Sequence, residues 1–453
     1  METRLRILVI ALVSFLALSF LPSTIQANSN EEEIKEYIKN EYVDELDPTL
    51  LEQDLTTIFD HLDVYSTYFS KEELRDFKNR INRKYVGIGI SVEAHEEGLQ
   101  VSEVYKHTPA EKAGIKVGTI ILSVNGTLLE RKNLEQSITY LSGEPGSSLT
   151  ITVLQDSKTK TLTLTREEIQ LPAVTGKRIG GETGYLKIHM FSSSTLTELE
   201  RLSQSMGNVS HWIIDLRNNP GGYLTAAQQV LGVFPGVETA MHAQFRDTTY
   251  QYSASDLTYK LDQSASLLIN ENSASASEIV AGSLKDYKAA TLYGETTFGK
   301  GLMQELKEFS DGSGVKLSIA RFFTPQHNTI NEVGIEPDIP TSTPLLDAHS
   351  EALKELRYDR FNELTVDPDK TFTINTNTSV IMEELQDAIH LFPLGGSDLP
   401  FTLNKEDDGT FVLDPDQDLE LNQKYRLLIE PGWRGTNGVA STKGIMQPIS
   451  IHP

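Results

Sequence analysis

Short apolar runs alternate with amphipathic stretches from Gly184 to Tyr293, and this alternation constrains the fold more than any other feature of the sequence. Gly184–His189, His211–Leu216, Ser266–Asn270 and Ala290–Tyr293 read as strands, with helices over Ser194–Met206, Tyr223–Leu231 and Ala276–Leu284 between them. Parallel strands joined through a helix need a crossover, so the expected product is an α/β core with a substantially parallel sheet. Residues 169–360 are assigned to that core.

At 453 residues the chain is too long for one ordinary hydrophobic core, so several domains are expected. Residues 28–83 form a helical N-terminal segment: Ile34, Tyr37, Ile38, Tyr42 and Val43 recur at helical spacing, and Leu50, Leu51, Leu55, Ile58, Phe59 and Leu62 make a second stretch. The segment is too short for a core of its own. It is expected to pack on a neighbouring domain or on a second subunit, the latter making a homodimer. Residues 84–168 hold the glycine-punctuated run Val86-Gly87-Ile88-Gly89-Ile90, a short helix from Thr108-Pro109-Ala110 to Gly114, and a strand closed by Asn125-Gly126. A helix over Leu134–Leu141 follows, then a strand pair around the polar turn Asp156–Lys160. In that order the elements resemble a PDZ domain. The resemblance implies that the N–H groups of Gly87, Ile88 and Gly89, with Ile90 beside them, bind a substrate's terminal carboxylate. Thr119 stands where the usual pattern has Asp, a change expected to alter local hydrogen bonding. Residues 361–453 read as an all-β sandwich whose pattern resembles the Ig-like domains appended to bacterial surface proteins.

Arg4 and Arg6 precede an apolar run from Ile7 to Leu21, Pro22 ends it, and Ile25-Gln26-Ala27 offers a cleavage site. Residues 1–27 therefore read as a signal peptide or as a short uncleaved anchor, with membrane contact only through residues 5–21. Either reading puts the remainder outside the cytoplasm, secreted or anchored at a bacterial cell envelope. A net charge of -24 argues against nucleic acid as a partner. The absence of cysteine excludes disulfides, thiolate zinc sites and a cysteine nucleophile. No His and carboxylate cluster has metal spacing, and no cofactor is implied.

Three segments of the core can carry chemistry. In Asp215-Leu216-Arg217-Asn218-Asn219-Pro220-Gly221-Gly222 a strand ends and a helix opens through two glycines. Backbone N–H groups at such a junction can hold an oxyanion, and a plain structural turn fits equally well. In Asn272-Ser273-Ala274-Ser275-Ala276-Ser277-Glu278, Ser275 follows a buried strand and leads a helix. It is placed as a nucleophile would be, while Ser275 and Glu278 also fit a capping box. The third segment is Gly299-Lys300-Gly301 with Gln304; the phosphate-binding lysine spacing fails there.

Together "LRNNPGG", "NSASASEIVAG" and "GETTFGKGLMQ" resemble the signatures of the C-terminal processing peptidases, or tail-specific proteases, and "LDVYSTYFS" resembles their segment before the PDZ domain. The resemblance spans about residues 31–345. It implies an exported serine endopeptidase acting on protein or peptide substrates with accessible C-termini. Ser275 would be the nucleophile and Lys300 the general base. Gln304, one helical turn on, would orient Lys300, and the N–H groups of Gly221 and Ala276 would form the oxyanion hole. A lysine base must be neutral, which partial burial favours over the free value of about 10.4. Asp286 is expected to make a structural ion pair. Ser142 replaces an arginine common before the PDZ glycine at Gly143, and Gln326-His327-Asn328 replaces the usual loop after Thr324-Pro325.

Overall fold

The computed structural model describes residues 30–129, 134–407 and 409–452. The segment 1–27, read as a signal peptide or anchor, lies outside the described residues. Among the described residues no helix is long and apolar enough to cross a membrane. The chain divides into two compact units: one holds the chain up to Pro172 together with Gln304–Ser318, the other Ala173–Met303 with Ile319–Pro453.

In the first unit, helix Glu31–Glu41 buries Ile34, Tyr37 and Ile38, and its acidic first turn suits the positive end of the helix dipole. The second helical stretch is realised only as a single 3-10 turn, Leu50–Glu52, and a short helix, Leu55–Asp60, capped by Asp54. Beyond it the helical expectation fails at Thr67–Phe69, a strand that pairs antiparallel with Gly314–Lys316. The run Tyr65-Ser66-Thr67-Tyr68-Phe69 is β-branched and aromatic without helical spacing, and a partner some 250 residues away gives its backbone a ladder. Helix Lys71–Ile81 then opens with a capping box made by Ser70 and Glu73.

The PDZ segment follows its expected order. Strands Ile90–His95, Gly98–Val104, Ile120–Val124, Ser148–Gln155 and Lys158–Thr165 form one sheet in that sequence, and Ile88, Leu99, Val101, Ile121, Leu149, Ile151 and Val153 pack its core. Residues alternate between exposed and buried faces along Ser148–Gln155, as a half-buried strand requires. The hairpin turn is tighter than predicted: Asp156 and Ser157, at φ 51° and 59°, close it alone. Thr119 does serve local bonding, donating to Gln155 Oε1 at 3.0 Å. With Ser142 in place of arginine, it is Arg166 that reaches the end of helix Leu134–Leu141, donating to the carbonyls of Leu141 (2.9 Å) and Tyr140 (3.0 Å).

The second unit contains the predicted α/β core. Its six-stranded sheet runs Val174–Ile179, Thr183–Ile188, His211–Asp215, Ser264–Ile269, Thr291–Gly294, Ile339–Pro340. The first pair is antiparallel and every later pair parallel. Helices Thr195–Ser205, Leu224–Gly232 and Ala276–Tyr287 supply the crossovers. His211–Asp215 is buried at every position, as a strand covered on both faces must be.

The C-terminal part is two sheets around a common apolar core: Tyr358–Arg360 and Leu364–Val366 lie end to end along one edge of Gly444–Ile451, whose other edge continues to Lys424–Ile429 and Ile389–Pro393, and the second sheet is Phe372–Asn375, Thr410–Pro415 and Phe401–Asp407. The all-β expectation needs two corrections. Helix Met382–Ala388 is inserted, and the first two strands pair parallel to Gly444–Ile451. Helix Pro344–Glu355 joins this part to the core through His349, whose Nε2 lies 2.7 Å from the Gly180 carbonyl while its Nδ1 accepts from the Gly395 N–H, also at 2.7 Å.

Candidate active site

Strands His211–Asp215 and Ser264–Ile269 are parallel neighbours, so the two loops that leave their C-terminal ends emerge side by side. Asparagine side chains tie those loops together. Asn270 Oδ1 accepts from Asn218 N at 2.9 Å, and Asn218 Oδ1 accepts from the amides of Asn270 and Asn272, each at 3.0 Å. The Asn219 carbonyl accepts from Ala274 N (3.1 Å) and Ser277 Oγ (2.8 Å). Asp215, fully buried at the strand end, takes a two-pronged bond from Arg217 (2.9 and 2.6 Å) and one from Tyr185 (2.7 Å). Burial pushes its carboxyl up, but these donors outweigh it and hold the group below the usual range.

Ser275 sits at the mouth of this arrangement, capping helix Ala276–Tyr287 with φ 56° and ψ −112°. A non-glycine residue there stores on the order of 1–3 kcal/mol of strain, and such strain gathers at functional sites. Gly221 lies flush against it: a Cβ added to Gly221 would stand 3.0 Å from Ser275 Cβ, 3.0 Å from Ala276 N and 2.8 Å from the Ala274 carbonyl. Only glycine, here at φ 108°, allows that approach. The Gly221 N–H is spent on Asn219 Oδ1 at 2.9 Å.

The residue that gathers the site is Glu278. Its buried carboxylate accepts from four donors: Thr297 Oγ1 (2.7 Å) and Gly299 N (2.6 Å) on Oε1, Ser275 N (2.8 Å) and Lys300 N (2.9 Å) on Oε2. The backbones of Ser275 and Lys300 thus meet on a single oxygen atom. Burial raises the Glu278 pKa, and the four donors oppose that rise. The capping box and the approach of the lysine loop are therefore one feature, not alternatives. Sequence reasoning found Glu278 only as a cap.

Lys300 and Gln304 are not related by a helical turn. Gln304 lies in the strand Leu302–Glu308, so the four-residue spacing is not a turn of helix. It belongs to the first unit and donates to the Tyr65 carbonyl at 2.7 Å. Asp286 makes hydrogen bonds rather than the expected ion pair. It accepts from Gln326 N (2.7 Å) and Asn328 Nδ2 (3.3 Å), and so fixes the loop after Thr324-Pro325.

In the first unit the predicted carboxylate loop is built as a tight bend. Gly87 ends strand Lys84–Gly87 and Ile90 begins the next. The carbonyls of Ile88 and Gly89 accept from Ala110 N (2.9 Å) and Tyr105 N (3.0 Å). Gly89, at φ 88°, has no room for a Cβ, which would lie 2.2 Å from Thr108 Cβ. The Tyr85 hydroxyl is buried there without a hydrogen-bond partner. Burial raises its pKa, and Tyr105 adds to the rise, while the backbone N–H groups of Ile90 and Gly89 act the other way.

The sequence pattern of peptidase family S41 matches residues 182–341, and that of a PDZ domain matches residues 86–165. A probable CtpA-like serine protease of Staphylococcus aureus (strain bovine RF122 / ET3-1) is 33% identical over 356 residues, covering 75% of this chain and 71% of that protein. The chain belongs to peptidase family S41. A second CtpA-like relative, from Staphylococcus epidermidis (strain ATCC 35984), is 34% identical over 315 residues, 68% of this chain and 63% of its own length. Among solved structures the photosystem II D1 C-terminal processing protease is 26% identical, with a TM-score of 0.46, over 73% of this chain and 97% of that one. In this S41 chain the family match begins at the hairpin before Thr183–Ile188 and takes in Asp215, Gly221, Ser275, Glu278 and Lys300. The two C-terminal sheets lie beyond it.

Proposed function

We propose that this chain is an exported serine endopeptidase that cleaves protein substrates at or near their C-termini through a Ser275–Lys300 dyad. The observation that carries the reading is the shared oxygen of Glu278, which supports an approach of the nucleophile's turn to the base's loop. The strained backbone of Ser275 adds to it. In this scheme neutral Lys300 takes the Ser275 proton as the hydroxyl attacks the scissile carbonyl, then returns it to the leaving amine. The tetrahedral oxyanion takes the N–H groups of Ala276 and Gly221, replacing Asn219 Oδ1 as the acceptor at Gly221. One such donor is typically worth about 2.7–4 kcal/mol in the transition state. Gly87, Ile88, Gly89 and Ile90 capture the substrate's terminal carboxylate and add its tail to the PDZ sheet edge. Residues 1–27 deliver the enzyme across the membrane, where it works secreted or anchored.

Casein digestion by residues 28–453 tests the reading. The wild-type protein is expected to fragment casein, and S275A to leave it intact. Equal digestion by both, or digestion by neither, would speak for a binding scaffold instead.

A further inference from the structure

Phe298 is 55% exposed on the segment that leads into Lys300, although the residues on either side of it are buried. Its position is fixed by backbone rather than by packing of the ring. The Phe298 N–H donates to the Ser273 carbonyl at 3.0 Å, and Ser273 is itself buried, its hydroxyl donating to the Leu216 carbonyl at 2.8 Å. Thr297, Gly299 and Lys300 are all held by Glu278. Leaving a phenylalanine side chain half in water forfeits part of its burial free energy. Single exposed apolar side chains are common on protein surfaces. Phe298 differs from them because it is held rigidly two residues from Lys300 and is not alone. The loop carrying Val333, which is 58% exposed, crosses at Gly299: Glu332 N donates to the Gly299 carbonyl at 2.7 Å, and a Cβ on Gly299 would lie 3.1 Å from Val333 N.

The chemistry says which part of a substrate would meet that ring. A base that takes the nucleophile's proton must deliver it to the leaving amine. The first residue of the released C-terminal fragment therefore passes on the lysine's side of the scissile bond. We infer that Phe298, with Val333 beside it, determines specificity by walling a subsite for an apolar side chain on the residue immediately after the scissile bond. A side chain whose backbone is already held has only its own torsions left to order when a partner covers it. This inference rests on the peptidase reading and deepens it.

The test uses synthetic peptides with a common free C-terminal tail and Leu, Phe, Ser or Asp directly after the cleaved bond, products being mapped by mass spectrometry. Wild type should prefer Leu and Phe over Ser and Asp by about tenfold or more in kcat/KM. F298A should reduce that ratio to about twofold. F298L, the gentler change for the fold, should keep the preference for apolar residues but shift the Phe:Leu ratio severalfold. Unchanged ratios in F298A and F298L, or a change confined to the residue before the bond, would overturn the assignment. Wild type no more active than S275A on every peptide would instead remove the peptidase reading, and the subsite with it.

Discussion

Glu278 shows how a single side chain can serve two local structures. One of its contacts is readable as sequence, since Ser275 and Glu278 stand three apart at a helix start. The other contacts come from residues 19 to 22 positions further on and exist only once the sheet has formed. Ser275 and Lys300 stand out as candidates only because their segments together resemble a peptidase family's signatures; each alone reads as a cap or a surface lysine. Glu278 looked like an ordinary cap, and Asn219 like part of a turn. The four donors on Glu278 need an acceptor at each oxygen, which an amide cannot provide. E278Q turns an NH2 group toward two of them and should cost about 2–6 kcal/mol of stability, since each unmet buried donor costs about 1–3 kcal/mol. Because it loosens Ser275 or Lys300 directly, turnover should fall more than tenfold even well below the melting temperature. A circular-dichroism melt run beside a peptide assay checks both; full activity in a folded E278Q protein would contradict the positioning described above.

At the level of elements, strong periodicity was read correctly and mixed patterns were not. The crossover helices and parallel strands of the core follow their sequence to within a few residues, because each buries a continuous apolar stripe. The spacing of Lys300 and Gln304 suggests one helical turn, yet Gln304 lies in the strand Leu302–Glu308. Thr67–Phe69 could not be read locally, since its ladder partner is supplied from Gly314–Lys316. Helix Pro344–Glu355 carries a prediction of its own. Burial lowers the His349 pKa to about 4, and the nearby Arg426 and His211 act in the same direction. Both ring nitrogens are engaged, with Nε2 donating and Nδ1 accepting, so the folded state holds the neutral ring. The unfolded chain binds a proton near pH 6.5 that the folded chain refuses until about 4. This contribution is fully present above pH 6.5 and is lost as pH falls toward 4, by about 3 kcal/mol in all. Urea titrations from pH 7 to 4 should show that loss, and H349Q should flatten it while lowering stability at pH 7. An equal pH slope in both proteins would contradict it.

Across the whole molecule, composition and pattern predict a helical segment, an α/β core and a β-rich end, and resemblance adds a PDZ domain between the first two. The S41 and PDZ matches bear out the middle of that series. The character of the end was less legible. Its inserted helix and parallel pairings depend on which strands of similar composition find one another, and alternation alone does not encode that. The central claim concerns one amine and one hydroxyl. It is tested most directly by measuring, on the same tailed peptide, turnover by product formation and binding by fluorescence anisotropy for wild type and K300A. The account predicts that K300A binds the peptide within about threefold of wild type and turns over none of it. Turnover by K300A at a rate near that of wild type would mean that another group removes the Ser275 proton.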